Sequence, residues 1–213
     1  MTDVKGSRKY SSPVRDEQAA RTRARILDAA SELFLERGYA QTTMKDIADL
    51  AGVARDTVHA VFGNKARVLT ALIDLRLVPD DSVANVTERS DAVAIKDEVD
   101  QHKQIELFAT FITSISTQLR PTFEILRTAS AVEPDMAKVF AEMDRFRLQN
   151  MHTYAKWIAA RGRLRVSTRR AGEIIWTLAS PDVARMLCDE LGWTQAQHAR
   201  WLADTLTRAL LPD

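Results

Sequence analysis

Residues 42–65, TTMKDIADLAGVARDTVHAVFGNK, contain the spacing that most restricts how this chain can fold. Ala48 is small enough to lie where two helices cross at a steep angle, and Gly52 can adopt the positive φ that a three-residue turn requires. Val58 can then anchor the second helix to the first, supported by three further apolar residues, Ile47, Val53 and Val61. This spacing predicts a helix-turn-helix, a motif whose second helix enters the major groove of DNA.

Capping signals place the ends of the helices around this motif. A helical period begins at Glu17 and ends at Gly38, a residue that suits a left-handed C-cap. Thr43 can cap the second helix, and Asp46 can complete a capping box in its shorter variant. The next two helices are predicted over residues 55–61 and 65–79, the second ending at a proline.

The rest of the chain keeps a helical period, without a convincing strand or an internal repeat. Residues 80–100 are acidic and weakly patterned, which predicts a long loop that is mobile or functional. Prolines and a glycine divide the remainder into helices predicted up to Pro121 and then over 121–131, 134–161, 168–191 and 194–211. The predicted fold class is therefore all-α.

Positive charge is concentrated at the N-terminal end. The whole chain has a net charge of +1, but seven basic and three acidic residues up to Arg25 give this segment seven minus three, or +4. A basic end on a nearly neutral body is typical of a protein that contacts DNA with one part of its surface. Residues 1–16 are polar and without a period, and we expect them to form a flexible basic arm.

Composition and motifs count against several other classes of protein. The sequence has no run of about 18 apolar residues, the length needed to span a membrane, and the N-terminus lacks the apolar segment of a secretory signal. The single cysteine, Cys188, excludes an internal disulfide and fits a reducing, cytoplasmic location. Metal, phosphate-loop and nucleophile signatures are absent from the sequence, so we expect no catalytic residue, no metal site and no cofactor.

Two parts of the sequence resemble one known family. The runs ILDAASELF, ERGY, TTMKDIADLAGV and FGNK resemble the DNA-binding domain of the TetR family of transcriptional regulators. The segment SPDVARMLCDELGWTQAQHARWLADTLTRALLP is similar to the C-terminal segment of one large TetR subgroup. The resemblance implies a homodimeric, ligand-responsive repressor built of a flexible arm (1–16), a three-helix helix-turn-helix DNA-binding domain (17–65), and a helical-bundle ligand-binding and dimerisation domain (66–213).

The resemblance implies DNA contacts on and around the helix-turn-helix. Arg55 is the best candidate for reading a guanine, while Thr43 and Lys65 would bind phosphates on the two sides of the groove. The full predicted set is Thr43, Lys45, Arg55, Asp56, Thr57, His59, Asn64 and Lys65. Four residues depart from the family pattern and leave the operator sequence open, namely Ala54, Asp56, His59 and Val61.

The resemblance also places an effector among the central helices and a subunit interface in the last two long helices. The effector, a small hydrophobic molecule, would lie among Phe108, Phe111, Ile112, Ile115, Leu119, Phe123, Met143, Phe146, Arg147, Asn150, Met151 and Tyr154. The predicted dimer interface comprises Ile174, Leu178, Trp201, Leu202, Leu206 and Ala209. The expected partners are a double-stranded DNA operator, this effector and a second copy of the chain, with no membrane partner.

Alternatives remain open at this level. Each apolar stripe could be internal core instead of a pocket or an interface. The protein could also regulate transcription without a small-molecule ligand, or activate transcription instead of repressing it. The patch formed by Arg161, Arg163, Arg165, Arg169 and Arg170 could bind nucleic acid, although a solvated loop explains it better.

Overall fold

The computed structural model describes residues 13–77, 87 and 89–212, and all regular structure within these ranges is helical. The N-terminal helices are α1 (Pro13–Arg37), α2 (Met44–Ala51), α3 (Arg55–Phe62) and α4 (Lys65–Leu77). They are followed by α5 (Ser90–Asp97), α6 (Gln101–Ser130), α7 (Pro134–Ala159), α8 (Thr168–Leu178), α9 (Pro181–Arg185), a π-helical turn (Met186–Glu190) and α10 (Gln195–Leu210). The all-α fold class predicted from the sequence is confirmed.

The chain divides into two compact units after Leu72. The first unit has its own core, in which Ile26, Ala30 and Phe34 of α1 are buried together with Ile47 and Val58. The three α1 positions are four residues apart, so one face of this helix is apolar and packs against its neighbours.

The second unit has a separate hydrophobic core. It is built from α5, α6, α7, α8 and α10, and includes Phe108, Tyr154, Ile158, Ile175 and Leu206. Gly172 of α8 lies so close to α7 that a Cβ at this position would come within 2.2 Å of His152 Nδ1. The absence of a side chain at residue 172 therefore sets how closely these two helices pack. None of the described helices has both the length and the apolarity needed to cross a lipid bilayer.

The first helix begins earlier than the sequence pattern indicated. We predicted that residues 1–16 form an arm, but α1 begins at Pro13, so residues 13–16 are helical. Proline is well suited to the first turn of a helix, because the N–H that it lacks would have no partner inside the helix. The remaining arm residues, 1–12, lie outside the part of the chain that the structure describes.

The prediction of one loop over residues 80–100 is wrong for its second half. Residues Ser90–Asp97 form α5, whose Ala92 and Ile95 are buried. The Gln104 side chain of α6 donates a 2.8 Å hydrogen bond from Nε2 to the Ile95 carbonyl and so holds α5 in place. Two apolar residues three positions apart form too short a pattern to reveal a helix that tertiary contacts stabilise.

The prediction that Pro121 ends a helix is also wrong. α6 continues through Pro121 to Ser130, with Leu119, Thr122, Ile125 and Leu126 buried. A proline inside a helix costs about 3 kcal/mol, whereas burying one large apolar side chain contributes about 1.5–3 kcal/mol. Apolar burial on both sides of Pro121 is thus sufficient to keep α6 continuous.

The arginine patch is mostly engaged in contacts within the chain. Arg161 donates to the Lys96 carbonyl at 2.8 Å, and Arg165 donates from Nε to the Leu211 carbonyl at 3.1 Å. Arg169 and Arg170 form ion pairs with Glu173 at 3.3 and 3.2 Å. Arg161 and Arg165 thus connect the α7–α8 segment to backbone carbonyls elsewhere in the chain, whereas Arg169 and Arg170 are exposed and pair within α8.

Candidate nucleic-acid interface and ligand cavity

The crossing of α2 and α3 has the geometry predicted from the sequence. Ala48 and Val58 are buried, and Gly52 has a φ of +63° in the turn between the helices. The turn is closed by hydrogen bonds from Gly52 N to the Asp49 carbonyl at 3.2 Å and from Val53 N to the Ala48 carbonyl at 3.0 Å. Residues 44–62 therefore form a helix-turn-helix.

One predicted core position is wrong. The side chain of Val61 is 38% exposed, and Phe62 is buried in its place. Val58 and Phe62 are four residues apart and so lie above one another on the same helical face, which α3 turns towards the interior. The Arg23 guanidinium lies 4.6 Å from the centre of the Phe62 ring and covers it from outside.

Arg25 supports the turn of the motif, a role that the sequence analysis missed. Its Nη2 atom donates to the carbonyls of Ala51 and Gly52, which lie at the C-terminal end of α2. Carbonyls in the last turn of a helix have no partner inside the helix, and a cation there also interacts favourably with the helix dipole. Arg25 and its acceptor Ala51 are 26 positions apart, so no local sequence pattern could have revealed this contact.

The N-terminus of α2 has the predicted capping box. The Asp46 amide donates to Thr43 Oγ1 at 3.2 Å, and the Thr43 amide donates to the Asp46 carboxylate at 2.9 Å. Hydrogen bonds from the Thr43 side chain and backbone lower the pKa of Asp46 from its ordinary value. Lys45, another predicted DNA contact, is exposed and pairs with Asp49 at 2.7 Å.

Helix α3 turns several of the predicted contact residues outward. Arg55, Asp56 and His59 are exposed, and Thr57 is half-buried. The ring nitrogen Nδ1 of His59 lies 3.0 Å from the Gly63 carbonyl, so one side of this imidazole is engaged at the end of its own helix. Arg55 forms no hydrogen bond within the described chain, and its five N–H donors are free for a ligand.

Lys65 lies at a junction between the start of α4 and the loop after α1. Its ammonium group donates to the carbonyls of Tyr39 and Thr42 at 2.8 and 2.9 Å and lies 4.2 Å from the centre of the Tyr39 ring. In the same loop, the buried Thr42 hydroxyl donates to the Gly38 carbonyl at 2.9 Å. Lys65 thus stabilises the loop that leads into α2.

Asn64 caps the first turn of α4. Its Oδ1 atom accepts a 2.9 Å hydrogen bond from the Arg67 amide. Thr43 at the start of α2 and Asn64 at the start of α4 thus cap two helix N-termini, and such termini favour anions.

Most residues predicted to line an effector pocket lie in the core of the second unit. Phe108, Phe111, Ile112, Met151 and Tyr154 are buried there, Ile115 packs against them, and Leu119 and Asn150 are buried as well. The rings of Phe108 and Tyr154 are 4.7 Å apart, and burial raises the pKa of the tyrosine hydroxyl. Phe146, by contrast, is 45% exposed.

A cavity of about 470 Å³ lies nearby, bounded by α6, α7, α8 and α9. Three residues of the predicted set are in its wall, namely Phe123, Met143 and Arg147. Aromatic and charged groups that the sequence analysis did not single out share this wall, among them Phe140, Trp176, Asp182 and Arg185. The pocket had been predicted from stripes of apolar residues along the helices, and such stripes occur in a hydrophobic core as well as in a pocket.

The residues predicted for the dimer interface fall into two groups. Leu202 and Leu206 are fully buried in the core of their own chain. Ile174, Leu178, Trp201 and Ala209 are only partly buried and lie at the edge of that core. Only the second group offers surface to a partner.

The described residues contain no group of three or more His, Cys, Asp or Glu side chains that could hold a metal ion. The thiol of Cys188 lies 3.9 Å from Nδ1 of the buried His198, and burial raises the pKa of the thiol.

Comparisons with known proteins place the first compact unit, from here on called the reading unit, in a family. The family model for bacterial regulatory proteins of the tetR family matches residues 26–72. The HTH-type transcriptional regulator TtgR of Pseudomonas putida is 44% identical over 77 residues, which cover 36% of this chain and 37% of TtgR. The transcriptional repressor BepR of Brucella suis is 29% identical over 177 residues, covering 82% of this chain and 79% of BepR. The match thus spans little more than a third of TtgR but most of BepR.

Solved structures agree over nearly the whole chain. NalD, described as the secondary repressor of the MexAB-OprM multidrug efflux pump in Pseudomonas aeruginosa, has a TM-score of 0.68 at 24% identity and covers 92% of this chain and 99% of its own. A SmeT–triclosan complex has a TM-score of 0.65 at 22% identity, with 90% and 92% covered. At these identities, the likeness establishes a common fold.

Proposed function

Because the chain belongs to the TetR family of transcriptional regulators, we propose that it is a dimeric repressor that binds a palindromic DNA operator and is released by a small hydrophobic effector. In this proposal the helix-turn-helix reads the operator, and the second unit binds the effector and the partner subunit. The proposal places the protein in the cytoplasm, where it meets DNA.

The observation that carries the proposal is the outward face of α3. Arg55 is exposed without a hydrogen bond in the described chain, on a helix held by the buried residues Val58 and Phe62. A guanidinium can donate two parallel hydrogen bonds to O6 and N7 of guanine, which is worth about 1–3 kcal/mol of discrimination against other bases. The capped N-termini of α2 and α4 suit phosphates.

A palindromic operator follows from the length of α3. Its eight residues span about 12 Å at 1.5 Å per residue, which allows contact with about four base pairs. Since so short a sequence is not specific, two copies of the motif must act together on half-sites one helical turn or a multiple of it apart. The partly exposed Ile174, Leu178, Trp201 and Ala209 are the residues proposed to contact the partner subunit.

Release by an effector would be a shift between two states. In one state the two reading units of the dimer would be spaced to fit the operator, and in the other they would not. A ligand that binds more tightly to the second state lowers the affinity for DNA, and the ratio of its affinities for the two states limits how far. The cavity of about 470 Å³ has a volume typical of small-molecule sites, for which about 300–1,000 Å³ is usual. SmeT, which shares the fold, is described in complex with the small molecule triclosan.

A second candidate is a regulator without a small-molecule ligand. The complete burial of Phe108 and Tyr154 favours it, because these side chains form core where a pocket was predicted. This candidate would be supported if hydrophobic compounds, each added at saturating concentration, leave the melting temperature of the protein unchanged.

The experiment that tests DNA binding replaces Arg55 with alanine. We expect Arg55→Ala to weaken binding to a fragment of the protein's own promoter region by about tenfold to a hundredfold, since the bidentate contact is lost. Fluorescence anisotropy with the labelled fragment measures the affinity. The matched control is Arg163→Ala, which removes the same charge from an exposed position outside the reading unit.

Equal affinity of Arg55→Ala and Arg163→Ala for the fragment would show that Arg55 does not read this DNA. Circular dichroism and size-exclusion chromatography of both variants establish that the fold and the oligomeric state are intact.

A further inference from the structure

The wall of the cavity between α6, α7, α8 and α9 contains charges of both signs, but they are not equally buried. The side chain of Arg147 is only 15% exposed, whereas the carboxylate side chains of Asp144, Asp189 and Glu124 are 44%, 42% and 46% exposed. The deepest charge in the wall is therefore a cation, and water screens the anions more strongly.

The guanidinium of Arg147 is fixed in one orientation. Its Nε and Nη2 atoms donate to Asp144 Oδ1 at 3.3 and 3.1 Å, and Nη1 donates to the Trp176 carbonyl at 2.7 Å. The same group lies 4.6 Å from the centre of the Trp176 ring. Burial lowers the pKa of Arg147, but an arginine pKa is so far above neutral that the group stays charged.

Two donors of Arg147 remain available. A guanidinium has five N–H groups, and the three hydrogen bonds above leave one on each terminal nitrogen without an acceptor in the described chain. Because Arg147 lines the cavity, an acceptor that enters it could satisfy these two N–H groups. Because the group is cationic and planar, a carboxylate is the acceptor that matches it best.

The other cavity residues indicate what such an acid must look like. Phe123, Phe140, Met143 and Trp176 contribute aromatic rings and a thioether to the wall. Planar ligands pack well on such side chains. The exposed carboxylate of Asp182 interacts electrostatically with both Arg127 and Arg147.

We propose that the effector is an aromatic organic acid, whose carboxylate binds the guanidinium of Arg147 and whose ring packs against Trp176, Phe123 and Phe140. This inference rests on the proposed function in one respect, namely that the second unit has an effector. It narrows the effector from any hydrophobic molecule to one with a single anionic group.

The test measures binding to the free protein, without DNA, by isothermal titration calorimetry. The probes are 2-naphthoate, its neutral amide 2-naphthamide and the cation 2-naphthylmethylammonium. We expect 2-naphthoate to bind the wild type about ten to a hundred times more tightly than the amide, the range expected for a hydrogen-bonded charge. We expect the cation to bind more weakly than the amide.

Arg147→Gln should remove the preference for the acid over the amide, and Arg147→Lys should reduce it, because an ammonium lacks the planar fork. The matched control is Arg145→Gln on the same helix, where the arginine is exposed, and this variant should keep the wild-type preference. If Arg147→Gln does not fold, the comparison of the three probes on the wild type and on Arg147→Lys still decides.

Several results would overturn the inference. These are equal binding of acid and amide, tighter binding of the cation, a preference that survives Arg147→Gln, or no binding of 2-naphthoate at about 1 mM. None of them touches the DNA-binding proposal, which the Arg55→Ala experiment tests separately. Loss of operator binding on addition of 2-naphthoate would then show that ligand binding in the cavity controls DNA binding.

Discussion

At the scale of single residues, the reading unit depends on contacts that tie its turns to α1. Gly52 shows this most clearly, because its φ is +63° and a Cβ there would lie 2.9 Å from Nη2 of Arg25. Gly38 has a similar φ of +79°, but a Cβ there would meet nothing within 4 Å. The two glycines thus separate the cost of backbone conformation from the cost of a lost contact.

We predict that Gly38→Ala lowers the free energy of unfolding by about 1 kcal/mol, and that Gly52→Ala lowers it by about 2 kcal/mol. The excess arises because the new methyl group displaces Arg25 from the carbonyls of Ala51 and Gly52. Urea unfolding followed by circular dichroism measures both values.

The same substitutions in an Arg25→Met background provide the control, since the contact is then already absent. There the two glycine substitutions should cost the same. An excess for Gly52→Ala that persists without Arg25 would contradict the assignment of Arg25 as the cap of α2.

At the scale of elements, α3 lacks the side-chain cap that α2 has at its N-terminus. α2 has a complete capping box at Thr43, but the N-cap of α3 is Ala54, whose side chain forms no cap hydrogen bond. The backbone of Ala54 has φ −66° and ψ 145°, which is the conformation of a normal N-cap. The position therefore lacks only an oxygen.

We predict that Ala54→Ser raises the free energy of unfolding by about 1 kcal/mol, because the serine oxygen can accept a hydrogen bond from the first turn of α3. Thr43→Ala, which removes the cap of α2, should change it by a similar amount in the opposite direction. Thermal unfolding followed by circular dichroism measures both. A serine that leaves the stability unchanged would mean that water already satisfies this helix end.

At the scale of the whole molecule, the proposed function requires the reading units of two subunits on one operator. A single α3 of eight residues contacts few bases, and most of the binding free energy then comes from phosphates. Each phosphate contact releases counterions, so the number of contacts can be measured through the salt dependence of binding.

We predict that a DNA fragment with both half-sites gives a slope of log K against log salt concentration about twice that of a fragment with one half-site. Fluorescence anisotropy at several KCl concentrations measures both slopes. Equal slopes would mean that a single head binds each fragment, and the dimeric model of operator recognition would be wrong. Sedimentation equilibrium of the free protein gives the oligomeric state independently.

The sequence by itself determined the local features. The Thr43–Asp46 capping box, the left-handed turn at Gly52 and the buried Ala48–Val58 crossing all depend on residues within about ten positions of one another. Backbone conformation and helix caps are decided at this range, and short patterns therefore predict them. The family resemblance, which rests on the same segment, is confirmed.

Only the tertiary structure decided the rest, because burial depends on which helix faces meet. Lys65 donates to Tyr39 across 26 positions, and Arg147 donates to Trp176 across 29, so neither partner could be read from local spacing. The continuity of α6 through Pro121 likewise depends on the burial of its neighbours against other helices. An apolar stripe gives the face of a helix that is buried, but a cavity exists only where packed faces leave space between them.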